Sequence, residues 1–201
     1  MSLRHSYTLL APIYDAIVGR GSQEMRRQSL AQLEPVDGKK VLLAGIGTGL
    51  DLPHLPPMSR GGHYVGVDLT RAMLVRARQY RRDDVHLCQG DVHALPCGDA
   101  CFDAVVLHLI LAVAPQPART LREACRVLRP GGRILVFDKF LRPGQRAPLR
   151  RAFNLVIRHI ATQTNVVFEQ VLAQCPELQV VEDIPGLGGG WFRRIVLEKQ
   201  G

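Results

Sequence analysis

Aromatic residues make up only 5% of this 201-residue chain, and no stretch interleaves them with basic residues. A surface built to stack unpaired bases is therefore poorly supported, although the net charge of +8 suits an anionic partner: a membrane surface, a nucleic acid or an acidic substrate. A solvated basic surface accounts for the charge equally well. Long apolar runs are missing too. The longest candidate, residues 104–114, contains His108 and falls short of the roughly 20 residues that a membrane-crossing helix needs. Met1 to His5 lack the apolar core of a secretory leader, so the expected location is the cytoplasm. Cysteines are few and irregularly placed, at 88, 97, 101, 125 and 175. Cys97 and Cys101 are close in sequence, but no Cys/His cluster has zinc spacing. Reduced thiols of a bacterial-type cytosol are expected, and no metal. Repeats and low-complexity segments are absent. At 46% hydrophobic, the chain can bury one sizeable core, which excludes a disordered class.

What the sequence does have is the stretch Val41-Leu42-Leu43-Ala44-Gly45-Ile46-Gly47-Thr48-Gly49. Four apolar residues read as a short buried strand that runs into a glycine turn. Leu50 and Asp51 then begin a short helical segment that Pro53 or Pro56 limits. Strand, glycine turn and helix is how an α/β fold presents a nucleotide-like ligand beyond the carboxyl end of its first strand. The dinucleotide fingerprint G-x-G-x-x-G/A is not met, because Leu50 stands in its sixth position; nor does Lys-Ser/Thr follow, as in a phosphate-binding loop. A plain tight turn fits this stretch as well.

Taken in order, Ser22 can cap a helix to about Gln32, which residues 35–38 break. Tyr64 to Val67 is a second strand ending at Asp68, nineteen positions after Gly49. There an acceptor-only carboxylate either binds ribose hydroxyls or caps the strand end. Thr70 can cap a helix to about Arg81, and Leu69 and Met73 bring apolar surface to the same spot, as ligand contacts or as core. Val85 to Cys88 is a third strand. After it, Asp91 and a backbone N–H could read the amino edge of adenine. Phe102 to Leu107, very apolar and hence central and parallel, delivers His108 to the carboxyl edge, as a ligand contact or a supporting group. Pro117 to Leu128 reads as a helix, Arg129 to Gly132 as a turn, and Arg133 to Phe137 as a fifth strand ending at Asp138. Residues 146–163 form a basic amphipathic helix, with Leu149, Phe153, Val156, Ile157 and Ile160 on one face and Arg151 and Arg158 opposite. A helix over 165–174 and strands over 180–184 and 191–198 complete the chain, with one antiparallel pairing at the end of a parallel sheet.

This combination resembles the ordered motifs of the class I S-adenosylmethionine-dependent methyltransferases. The match runs from Val41–Gly49 through Val67-Asp68, Gly90-Asp91-Val92 and Phe102–Val106 to Val127–Arg133, roughly residues 40–138. Ala11-Pro12-Ile13-Tyr14-Asp15 looks like the lead-in of quinone-biosynthesis C-methyltransferases and bacterial phosphatidylethanolamine N-methyltransferases. The resemblance implies a single Rossmann-like, doubly wound α/β sheet, mostly parallel, with the seventh strand inserted antiparallel. It implies one domain over 1–201: an N-terminal lid and helix (1–35), a cofactor-binding core (40–138), acceptor-side helices (139–175) and C-terminal strands (176–201). Carried over, Gly45, Ile46 and Gly47 would pass under the methionine part of S-adenosylmethionine. Asp68 would bind the ribose, Leu69 and Met73 would flank adenine, and Asp91 and Val92 would meet its polar edge. His108 would border cofactor and acceptor. S-adenosylhomocysteine would be the product, and the acceptor a small molecule or lipid, a quinone precursor or phospholipid head group.

Tyr14, His54, His108 and Asp138 are the candidate general bases; Tyr14 and His108 are taken as the catalytic pair. One departure stands out. The acid usual two positions before the first glycine is Leu43 here, which weakens the hold on the cofactor's amino end or hands that task to another group. It keeps open a protein that binds S-adenosylmethionine with little turnover. A nicotinamide dehydrogenase is disfavoured by Leu50. The basic helix suggests peripheral contact with the inner face of an anionic membrane.

Overall fold

The computed structural model describes residues 20–58, 61–80, 82–141, 166–186 and 190–201. The expected helix over 146–163 and the segment carrying Tyr14 lie outside them. Seven strands form one sheet: β1 (Lys40–Ala44), β2 (His63–Asp68), β3 (Val85–Gln89), β4 (Phe102–His108), β5 (Leu128–Lys139), β6 (Leu178–Pro185) and β7 (Phe192–Lys199). Their order is β3-β2-β1-β4-β5-β7-β6. β1 to β5 pair in parallel, while β7 runs antiparallel to both β5 and β6. The described helices are α1 (Arg20–Leu30), α2 (Arg71–Ala77), α3 (Pro117–Val127) and α4 (Phe168–Leu172).

Two apolar layers explain why the central strands read as continuous hydrophobic runs: both faces of the sheet are covered. Side chains alternate along a strand. Leu42, Ala44, Val105, Leu107, Ile134 and Val136 face one way, with Leu121 and Ala124 of α3 and Phe168 and Val171 of α4. Val41, Leu43, Ala104, Val106 and Leu135 face the other, with Leu30 of α1 and Leu74 and Ala77 of α2.

Several local expectations change. Ser22 lies inside α1 rather than at its cap, and its hydroxyl accepts a hydrogen bond from Arg26 Nε. The helix after the glycine turn is a single 3₁₀ turn, Leu52–His54, with Pro53 in its first positions. Thr70 stands at the N-cap of α2, but its hydroxyl turns to Asp68 instead of the helix, and α2 stops at Ala77. The turn expected over 129–132 belongs to β5. Phe102 pairs with Leu128 and Ala104 with Arg133, so the four residues bulge out of the ladder. A Cβ at Gly132 would meet the Asp103 carbonyl oxygen at 2.9 Å, which is why glycine stands at the bulge.

Candidate active site

The carboxyl ends of β1, β2, β3 and β4 converge on the glycine turn. Gly45 and Gly47 have φ of +77° and +58°, a region other residues enter only with strain. A Cβ on Gly47 would meet nothing within 4 Å, so the turn leaves open space above its backbone. Below it, Ile46 plugs the sheet. A Cβ on Gly66 of β2 would stand 2.4 Å from Ile46 Cδ1, so the missing side chain makes room for the turn.

Asp68 ends β2 and ties this turn down. Its Oδ2 accepts from the Gly47 N–H at 2.9 Å, and its Oδ1 accepts from the N–H and hydroxyl of Thr70, both at 2.9 Å. The strand-end cap and the ligand acid of the sequence reading are thus compatible. A carboxylate accepts about four bonds, which leaves capacity on Oδ2 for a hydroxyl. Leu69, next along, is exposed and Met73 half-buried. Beyond β3, the Asp91 carboxylate accepts from the His93 N–H and meets the His93 ring at 2.8 Å. Those bonds, the backbone one foremost, hold its pKa below the ordinary carboxylate range, against the opposing effect of burial. Val92 beside it is buried.

His108 ends β4 on the face that α1 covers. It is 5% exposed, and both ring nitrogens are engaged: Nδ1 lies 2.8 Å from Asp51 Oδ1, and Nε2 lies 3.0 Å from Ser29 Oγ. Asp51 Oδ1 also accepts from Arg26 Nη1 at 2.7 Å. Burial pushes Asp51 toward the neutral form, but the Arg26 charge and the His108 ring, with their hydrogen bonds, outweigh it and hold the carboxyl below its usual range. Sequence reasoning missed this chain of groups. One signal was available: Ser22, Arg26 and Ser29 recur at helical spacing among polar residues. Leu43, by contrast, is packed with Val41, Ile46 and Leu52, and His54 is half-buried in the 3₁₀ turn. Asp138, fully buried at the end of β5, accepts from the Ala112 and Lys139 N–H groups and pins the loop after β4. None of the described His, Cys, Asp and Glu residues forms a group able to hold a metal ion.

Sheet order, glycine turn and strand-end acids define a doubly wound α/β protein whose ligand edge is the carboxyl end of its parallel strands. Residues 42–136 match the family model described as a methyltransferase domain. The chain is 33% identical to the phosphatidylethanolamine N-methyltransferase of Cereibacter sphaeroides, over 90% of this chain and 89% of that enzyme. It is 32% identical to the demethylmenaquinone methyltransferase of Clavibacter sepedonicus, over 73% of this chain but only 60% of that one. Among solved structures, a chain of the complex between the Haloferax volcanii Trm112 methyltransferase activator and a methyltransferase superposes with a TM-score of 0.79. That match covers 100% of this chain and 98% of that one at 21% identity, a likeness of fold. The chain belongs to the class I S-adenosylmethionine-dependent methyltransferases.

Proposed function

We propose that this methyltransferase transfers a methyl group from S-adenosylmethionine to the amino group of a phosphatidylethanolamine-type lipid head group. The observation that carries the acceptor is the similarity to a phosphatidylethanolamine N-methyltransferase along nearly the whole of both chains. The likeness to the demethylmenaquinone enzyme, which leaves much of that protein unmatched, supports a quinone precursor as the second reading.

The residues present fit the cofactor. The open space over Gly47 suits the methionine part, and Asp68 keeps acceptor capacity for the ribose. Leu69 and Met73 would flank the adenine, and Asp91 and Val92 would meet its polar edge. When bound, S-adenosylmethionine supplies a methyl group on a sulfonium sulfur, an electrophile that needs no further activation. The protein's own part is to hold the acceptor nitrogen in line with that methyl and to let the ammonium proton leave before the lone pair attacks. In this reading His108 borders the acceptor side.

Turnover to S-adenosylhomocysteine is the test, with phosphatidylethanolamine vesicles, soluble ethanolamine and a demethylated quinone precursor as acceptors. Methylation of the lipid amine alone is expected. Methylation of the quinone precursor alone transfers the assignment to the second reading. Tight S-adenosylhomocysteine binding with no turnover on any acceptor assigns a binding protein instead.

A further inference from the structure

Helix α1 presents a buried face that is polar. Ser22, Arg26 and Ser29 stand at i, i+4 and i+7, so they point the same way, and none is more than 5% exposed. Around them α1 packs by ordinary apolar means: Met25 meets Leu109 and Phe137, and Leu30 joins Val41 and Leu43. Fold stability does not call for ions here. A desolvated ion pair is often matched or bettered by apolar residues of similar volume.

The place of these groups is informative. Asp51 follows the glycine turn directly and His108 ends β4, so the pair spans the edge between two adjacent parallel strands, β1 and β4. This is the edge assigned above to cofactor and acceptor. Position 43, where the resemblance leads one to expect an acid, holds a leucine buried in the apolar layer with Val41 and Leu30. The buried acid beside the glycine turn is Asp51.

We infer that Asp51 is a positioning residue for methyl transfer: its carboxylate fixes His108 in the Nδ1–H form and aims Nε2 at the Ser29 side of the site, while Arg26 holds α1 over both. An ionised carboxylate can only accept, so the ring nitrogen facing it must carry the proton. In the neutral ring Nε2 is then an acceptor and takes the Ser29 O–H. The inference rests on the reading that His108 borders the acceptor.

The experiment compares wild type, Arg26→Met, Arg26→Met/Asp51→Asn and Ser29→Ala as full-length chains. Long-range proton–nitrogen NMR of the histidine rings, assigned with His108→Gln, reports the tautomer without any cofactor. Rates on phosphatidylethanolamine vesicles, S-adenosylhomocysteine affinity and melting curves accompany it. Wild type should show Nδ1–H. Arg26 Nη1 donates to the same Oδ1 and would hold an amide oxygen toward the ring. Asp51→Asn is therefore made in the Arg26→Met chain, where the amide can donate to Nδ1; there it should move the ring to Nε2–H and lower kcat at least tenfold relative to Arg26→Met. Its KM and S-adenosylhomocysteine affinity should stay within threefold of that chain. Arg26→Met and Ser29→Ala should keep Nδ1–H, because the carboxylate is still present. An Nε2–H ring in wild type overturns the inference, as does an Arg26→Met/Asp51→Asn ring that does not change, kcat within twofold of Arg26→Met in that variant, or a switch caused by Arg26→Met or Ser29→Ala alone. If Arg26→Met/Asp51→Asn does not fold, Nδ1–H in both wild type and Ser29→Ala supports the inference and any other pairing overturns it. If no acceptor is methylated by wild type, the function proposed above fails, while the ring spectra still decide the role of Asp51.

Discussion

The Asp68 carboxylate closes the glycine turn through Gly47, and the proposed function gives its remaining acceptor capacity to a ribose. Asp68→Ala should therefore weaken S-adenosylmethionine binding by roughly 1.5–3 kcal/mol, the range for hydrogen bonds to a charged group. Calorimetry on the folded variant measures it, and near-unchanged affinity would remove Asp68 from the site. At Leu43 the structure favours packing over compensation, since the side chain is 1% exposed among apolar neighbours. A Leu43→Glu carboxylate would enter an apolar cluster, while Arg26 of α1 and His108 beneath that helix are already engaged by Asp51. Its burial should lower the melting temperature by roughly 10 °C, from several kcal/mol at about 2–4 °C per kcal/mol; a stable variant that binds S-adenosylmethionine more tightly would restore the compensation idea. Asp138 gives a pH signature. Burial, opposed by the N–H groups of Ala112 and Lys139, pushes its pKa up to about 6 from 3.8. The folded state thus binds this proton more tightly than the unfolded one. Stability contributed here falls as pH rises from about 4 to 6, by roughly 3 kcal/mol in all. Asp138→Asn removes that slope, so its melting temperature relative to wild type should climb across this window and level off above it. A constant difference would mean that Asp138 stays ionised throughout. Asp68 and Asp91 were legible in the sequence because an apolar run followed by an acid marks a strand end. The Ser29–His108–Asp51–Arg26 chain was not, because its members are gathered by the fold from positions 26 to 108.

Among elements, the strands of the sheet were the most readable. The central ones are continuous apolar runs because the sheet is covered on both faces, a pattern carried by the sequence itself. Helix ends were less so. Thr70 has the side chain for a cap, yet its hydroxyl donates to Asp68 two residues back and its oxygen accepts from no N–H of α2. The bulge in β5 shows why residues 129–132 read as a turn: proline and two glycines mark a departure from the ladder, but the ladder resumes at Arg133. The glycine turn and the loop after β4 act as one unit, because a Cβ on Gly45 would lie 2.7 Å from Ile110 Cδ1. Gly45→Ala meets two costs, about 1–2 kcal/mol for positive φ and roughly 1–3 kcal/mol for overpacking. Adding Ile110→Ala should relieve the second and leave the first. Melting curves of the single and double variants separate them, and a double variant no more stable than Gly45→Ala would show that Ile110 is not the obstacle.

At the scale of the whole molecule, charge is the feature that the sheet does not explain. The net charge is +8, and Arg142, Arg146, Arg150, Arg151 and Arg158 crowd into one segment between β5 and the final strands. That segment lies outside the described residues, so its helix stays a reading of the sequence pattern. Among the described residues, no helix is long and apolar enough to cross a membrane. A methyltransferase whose acceptor is a lipid head group must still meet the bilayer, and a basic face can do so peripherally. Each Lys or Arg near an anionic surface contributes about 1 kcal/mol. The attraction fades with salt, as the screening length shrinks from about 30 Å at 0.01 M ionic strength to about 8 Å at 0.15 M. Co-sedimentation with vesicles should therefore show binding to anionic but not neutral lipid, strongest at low salt and sharply reduced in an Arg151→Glu/Arg158→Glu variant. Turnover measured on phosphatidylethanolamine in those vesicles should fall with the bound fraction, while S-adenosylhomocysteine affinity stays unchanged, because the variant touches recruitment and not the glycine turn. Equal binding to both lipids, or a variant that binds as wild type does, would detach the basic segment from the membrane and favour an acceptor that reaches the site from solution.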